Sequence, residues 1–441
     1  MIRSGCFKDF AKYSSLNVLG MVGLSCYILA DTFFVSKGLG ADGLAALNLA
    51  IPVYSFIHGS GLMIGMGGGT RFSIQKSRGG HHSADRIFTN ALYLTALFAL
   101  IFVLIGIFFS GAIASLFGAK DEVLAMSEIY LKVILLFAPA FLLNNLLLCF
   151  VRNDGAPQLS MAAMIGGSLS NIVLDWVFIF PCGMGIFGAV FATGLAPVIS
   201  IIILSPHFLR KKNQFHVTKC KPDFALFSSI LSSGVPSLVT EVSSGIVMII
   251  FNSIILRLEG NVGVAAYGVI ANISLVVMAV YTGIAQGIQP IISKYYGLKN
   301  IKNINSTLKY ALTSMLIISA AVYMTIFFCA AGIAGIFNSE QNAMLQAIAS
   351  HGLRIYFIAA PFAGFNIIIS VYFTSTERPR PAHLISLLRG FIIIIPSAFL
   401  FSALFDIVGV WCSFFITEAI VSIIAMCLYA AAKKRLRRSM I

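Results

Sequence analysis

The chain has 441 residues, of which 59% are hydrophobic and 10% charged, with a mean hydropathy of +0.94. Soluble domains carry roughly 25% charged residues, so a soluble enzyme, a disordered chain and a DNA-binding factor are all excluded. The net charge of +14, from 30 Lys+Arg against 16 Asp+Glu, falls in short loops between apolar runs, which reads as membrane topology and not as nucleic-acid binding.

The first fifteen residues are basic and amphipathic, and no short apolar run with a small-residue cleavage site follows, so a removable signal peptide is not expected. Charge-free windows then mark helices of the roughly 20 residues needed to cross a hydrocarbon core. Span 1 is expected at about 13–35 and carries Asp31; span 2 at about 46–69 ends in the run Gly65–Gly69. Span 3 falls at about 88–110, and span 4 at about 128–151 contains Ala138-Pro139. Span 5, about 160–180, carries Asn171 and Asp175; after the Pro181–Gly185 break, span 6, about 186–206, carries Thr193. The basic stretch 207–226 reads as a cytoplasmic linker between a first bundle, 1–206, and a second, 227–441. Span 7, about 231–256, holds Glu241 just after Gly234-Val-Pro236; spans 8 and 9 follow at about 264–290 and 309–332. Span 10, about 351–374, holds Ala360-Pro361 and Asn366; span 11, about 384–405, holds Arg389; span 12, about 408–431, holds Glu418. A β-barrel is excluded, because the runs are continuous and not alternating ten-residue segments.

Loop charges test the count. With twelve spans, 24 of the 30 basic residues fall on the side of both termini and five on the other, Arg389 being inside a span. That bias places both termini in the cytoplasm; the expected location is the plasma (inner) membrane. The chain also repeats itself. Ala138-Pro139 recurs as Ala360-Pro361, Asn144 as Asn366 and Pro157 as Pro379, each 222 positions on. Gly61 and Gly65 recur as Gly283 and Gly287 at the same offset, and Gly43-Leu-Ala-Ala46 as Gly263-Val-Ala-Ala266 at 220. The expected fold is therefore an all-α integral membrane protein: twelve transmembrane helices in two six-helix bundles related by a pseudo-two-fold axis along the membrane normal, a transporter arrangement.

An ionisable residue at mid-bilayer costs at least ~2.5–3.5 kcal/mol, so such residues are the first place to look for function. Asp31, Asp175 and Thr193 all fall in the outer half of the first bundle, and Asn171 and Asp175, four apart, share a helix face. Two carboxylates, an amide and a hydroxyl would give oxygen ligands to Na⁺; alternatively one desolvated carboxylate would carry a proton, or the four would form a hydrogen-bonded network that only locks helices together. In the second half, Glu241 and Glu418 either pair with Arg389 or take part in coupling and cationic-substrate binding. The eight cysteines form no CxxC pair and read as packing residues. There is no HExxH, GxSxG or GxxxxGK[ST] sequence, so neither an enzyme nor an ATP site is expected and energy would come from an ion gradient.

At these residues the chain resembles multidrug and toxic compound extrusion (MATE) transporters. The resemblance lies in Asp31-Thr-Phe-Phe34, Gly40, Leu44-Ala-Ala46 and Ile51-Pro52, then in Asn171-Ile-Val-Leu-Asp175, Gly183–Gly188 and Ala192-Thr193. It is closest to the bacterial multidrug-export branch, where Ile416-Thr-Glu418 also matches a Glu position. The resemblance implies two bundles around a cleft and antiport of Na⁺ or H⁺ against organic cations by alternating access. It implies that Asp31, Asn171, Asp175 and Thr193 form the first-lobe cation site, and that Glu241 is the acid of the seventh helix. Two positions depart from the family pattern: Asn17 stands where members often have a proline, and span 10 has Asn366 and no acid.

The expectation is thus an ion-coupled exporter of amphipathic organic cations. It works in the lipid bilayer with Na⁺ or H⁺ as coupling ion, no other cofactor and no obligate protein partner. The second-lobe candidates are Glu241, Glu418 and Asn366. The alternative is a flippase for lipid-linked sugars, which would want a basic cavity for pyrophosphate; four acids against one Arg within the spans argue against it.

Overall fold

The computed structural model describes residues 2–338 and 341–439, with side chains between 5 and 434. Those residues are helical almost throughout, and the twelve expected spans can be traced in them. Several spans run on from one helix into the next. Ile2–Ser77 holds spans 1 and 2, divided at Gly40 (φ 67°, ψ −155°), and Phe224–Gly297 holds spans 7 and 8, divided at Gly260 (φ 63°, ψ −156°). The two glycines lie 220 positions apart and adopt the same left-handed conformation, which a residue with a Cβ disfavours. Ile394–Ser439 breaks at Asp406 (φ 50°), which divides span 11 from span 12. Spans 3, 5, 6 and 9 are the helices His81–Leu116, Pro157–Ile179, Gly185–Leu209 and Ile301–Phe337.

The repeated Ala-Pro pair has a structural consequence. Span 4 is built from Asp121–Leu136 and Ala138–Asn153, bent by 46°. Span 10 is built from Ala343–Tyr356 and Ala360–Ser375, joined by the 3₁₀ turn Phe357–Ala359. In both, proline enters the first turn of the second piece, where its missing N–H costs nothing. Span 11 carries a further irregularity, the π-helical turn Leu388–Ile392. Asn17 does not interrupt span 1: its Nδ2 donates to the Tyr13 carbonyl at 2.8 Å, inside continuous helix.

The chain forms two compact units, and their boundaries differ from those expected at the linker. The first unit is Leu19–Val242 with Ser293–Leu298; the second is Met1–Val18, Ser243–Ile292 and Lys299–Ile441. The division thus runs through spans 1 and 7. Glycines explain it, because they let backbones touch. A Cβ on Gly234 of span 7 would lie 2.8 Å from the Met63 Cα of span 2, so the start of span 7 belongs with span 2. A Cβ on Gly283 or Gly287 of span 8 would lie 2.6 Å from the Val18 Cα or 2.7 Å from the Ser14 Cα, so the start of span 1 belongs with span 8. Gly234→Ala would favour an exposed helix by up to about 1 kcal/mol. Here it is expected to destabilise by about 1–3 kcal/mol through overpacking, read as a lower melting temperature of the purified protein in detergent.

The expected linker is strapped to the first unit. Phe215 is buried, with its ring centroid 4.6 Å from that of Phe88. The backbone N–H groups of His216, Thr218 and Asp223 donate to Asp85, Thr89 and Asn90 of span 3 at 2.8, 3.0 and 2.9 Å. Asp154, at the end of span 4, accepts from Lys76 Nζ at 2.7 Å and the Gln214 N–H at 2.9 Å, and lies 2.8 Å from His207 Nε2. Asp223 then caps span 7 by accepting from the N–H groups of Ala225 and Leu226.

Candidate functional site

Within the first unit, span 5 enters behind Pro157 and turns Asn171 and Asp175 to its buried face. Span 6 lies against it closely, because a Cβ on Gly167 would sit 3.1 Å from the Ala196 carbonyl oxygen. That contact brings Thr193 to Asn171. With its amide oriented to match donors with acceptors, Asn171 donates to Asp175 Oδ2 at 3.1 Å and accepts from the Thr193 N–H at 3.2 Å. The Thr193 hydroxyl donates to the Ala189 carbonyl at 3.1 Å, and the buried Tyr130 of span 4 lies beside it. Asp31 lies nine residues before Gly40, about 14 Å along the helix from that break, in the same unit as Asp175.

Asp31, Asn171, Asp175 and Thr193 are all buried. Asp31 Oδ1 and Asp175 Oδ1 are buried oxygens that accept no hydrogen bond. A buried acceptor without a donor costs roughly 1–3 kcal/mol, more when charged. The Asp175 oxygen, beside the Asn171 carboxamide that also meets Thr193, suits a proton or a small hard cation; no hydrogen bond among the described residues joins Asp31 to these three. Among the described residues no three His, Cys, Asp or Glu side chains gather as a transition-metal site.

Further polar groups follow along spans 1 and 2, at residues that the sequence reading did not single out. Tyr27, one turn from Asp31, has its hydroxyl 2.6 Å from that of Tyr54. The Tyr54 ring stacks on His58, with centroids 5.8 Å apart, and Asn145 Nδ2 lies 3.2 Å from His58 Nδ1. The spacings Tyr27/Asp31 and Tyr54/His58 are i, i+4 and were visible in the sequence; which helix faces which was not.

Glu241, grouped with the second-lobe candidates by its place in the chain, belongs to the first unit. Its Cβ packs over Gly59 of span 2, where an added Cβ would come within 3.1 Å. Glu418 and Asn366 meet in the second unit. Arg389 Nε and Nη2 donate to Glu418 Oε1 at 3.1 and 2.8 Å, and Asn366 Nδ2 donates to Oε2 at 2.7 Å. Of the two acids left open as partners of Arg389, Glu418 is the one that pairs with it.

The MatE family model matches residues 18–177 and 236–400. The chain belongs to the MatE family. MatE membership makes it a multi-span membrane transporter of the multidrug efflux type. A similar relative is the "Multidrug export protein MepA" of Staphylococcus aureus (strain MRSA252), 25% identical over 436 residues, which are 98% of this chain and 96% of that protein. Among solved structures, the "Crystal structure of MATE in complex with MaL6" matches with a TM-score of 0.92 at 25% identity, over 98% of this chain and 97% of that one. A second solved structure matches with a TM-score of 0.89 at 26% identity, over 98% of this chain and 96% of that one. It is described as "Reverse polarity of binding pocket suggests different function of a MOP superfamily transporter from Pyrococcus furiosus Vc1 (DSM3638)". Both halves of this MatE chain are matched, so the internal repeat and the family segments coincide.

Proposed function

We propose that this protein exports amphipathic organic cations across the inner membrane, both termini cytoplasmic, in exchange for Na⁺ or H⁺ held between Asp31 and Asp175. The observation that carries this reading is the pair of buried carboxylate oxygens, Asp31 Oδ1 and Asp175 Oδ1, that no protein donor reaches. Two carboxylates close enough to repel are stabilised by an ion or proton between them, and one bound charge is released when substrate favours the other state. Asn171 orients Asp175 and reads Thr193, so the oxygen set is held on two packed helices. Support for the substrate class comes from the acids of the spans and from the relative named for multidrug export.

Proteoliposomes holding the purified protein test the reading, with a fluorescent organic cation and a Na⁺ or a pH gradient imposed separately. Gradient-driven movement with one of the two ions is expected. No movement with either ion, across several dyes, would turn the reading toward lipid-linked sugars or another substrate charge. Tyr130→Phe removes a buried hydroxyl beside Thr193 and is expected to slow gradient-driven movement several-fold with normal yield of folded protein, measured in the same assay.

A further inference from the structure

The Arg389–Glu418 pair of the second unit acquires a meaning from the internal repeat. At the offset of 222, Arg389, Glu418, Asn366 and Ser422 correspond to Gly167, Ala196, Asn144 and Ser200 of the first unit. Gly167 and Ala196 touch, and a Cβ on Gly167 would also lie 3.3 Å from Ser200 Cβ. The same helix–helix contact is therefore bare backbone in the first unit and an ion pair in the second.

The surroundings differ in the same way. In the first unit the buried oxygens of Asn144 (Oδ1) and Ser200 (Oγ) have no hydrogen-bond partner. In the second unit the network is closed: Asn366 Nδ2 donates to Glu418 Oε2, and Ser422 Oγ donates to Asn366 Oδ1 at 3.1 Å. Both Glu418 oxygens are taken, one by the guanidinium and one by the carboxamide. The first unit's ion set lies just outward of its bare contact, with Asn171 four residues on from Gly167 and Thr193 three residues before Ala196. The positions matching Asn171, Asp175 and Thr193 in the second unit are Ile393, Ser397 and Phe415, which offer no carboxylate.

We propose that Arg389 is a tethered cation that closes the buried Glu418 carboxylate of the second unit to exchangeable monovalent cations, so that ion coupling is confined to the first unit. This rests on the antiport reading for its consequence, but not for the site itself. The guanidinium occupies the place at Glu418 Oε1 that a free monovalent cation would take. Shortening Arg389 frees that place. The π-helical turn Leu388–Ile392 that carries Arg389 lets the long side chain reach Glu418 in a span that would otherwise run as plain helix.

The test uses the full-length protein in detergent, with Arg389→Ala, Arg389→Ala/Glu418→Gln and wild type. Guanidinium and Na⁺ at millimolar concentration are the probes, and choline is the control. Arg389→Ala is expected to be stabilised by guanidinium by several degrees in melting temperature, and to bind one cation more per chain than wild type. The double variant is expected to respond to both probes as wild type does. A folded Arg389→Ala protein whose guanidinium and Na⁺ responses equal those of wild type overturns the proposal, whatever transport assays show. Should Arg389→Ala fail to fold, Arg389→Gln/Glu418→Gln removes both charges and is read by the ratio of ions to substrate in proteoliposomes. A ratio equal to wild type supports the proposal, and a lower ratio overturns it. Wild type with no gradient-driven transport would refute antiport, and with it the confinement of coupling, while the cation-binding measurement would still decide the site.

Discussion

Asp175→Asn is expected to reduce gradient-driven transport at least tenfold while leaving the yield and melting temperature of the protein close to wild type. The side chain is fully buried, so its place is set by the surrounding helices. Asparagine has nearly the same shape and keeps an oxygen for the Asn171 amide, which donates to Asp175 Oδ2 at 3.1 Å. What it loses is the charge on Oδ1, the atom with no protein partner. Asp31→Asn should act in the same way. The two changes are expected not to add, because residues that share one bound ion lose the same function once. If Asp175 served only to lock helices, Asn would serve nearly as well and transport would persist.

Glu418→Gln should have the opposite character, a large loss of stability. Arg389 has a side chain only 13% exposed, and Glu418 only 2%. Removing one partner of a buried ion pair typically costs about 3–5 kcal/mol, because the remaining charge stays uncompensated. The Asn366 amide adds to the penalty, since its Nδ2 is positioned 2.7 Å from Glu418 Oε2. Replacing Arg389 by Met in the same chain should recover most of that loss, since a neutral pair of similar volume leaves no buried charge. Thermal unfolding in detergent of the single and double variants measures both effects. Equal melting temperatures for Glu418→Gln and wild type would show that the pair is not what holds spans 11 and 12 together.

Much of this architecture was legible in the sequence, for reasons that can be named. Twelve apolar runs and the one-sided bias of Lys and Arg in the loops follow from the bilayer itself. The shared offset of Ala138-Pro139 and Ala360-Pro361 marked two places where a span is built from two pieces, and both are interrupted just before the Ala-Pro pair. Asp31, Asn171, Asp175 and Thr193 stood out because polar groups are costly at that depth, and the structure joins Asn171 to Asp175 and Thr193 by hydrogen bonds. Tyr130, Tyr27 and Tyr54 were not legible. A tyrosine in a span is ordinary, and only packing decides which hydroxyl comes within 2.6 Å of another. The true unit boundaries were hidden for a similar reason. Gly234 and Met63, or Gly287 and Ser14, are distant in sequence, and only their close approach moves the starts of spans 7 and 1 between units. Glu241 was assigned to the second half for want of that information.

The most direct measurement is of ion release. Purified protein loaded with ²²Na⁺, or poised in weak buffer with a pH electrode, is given an organic cation that it transports. The account predicts that substrate displaces Na⁺ or protons from wild type and displaces neither from Asp31→Asn/Asp175→Asn. Displacement of either ion from the double variant would contradict it, as would a wild type that binds substrate and releases nothing.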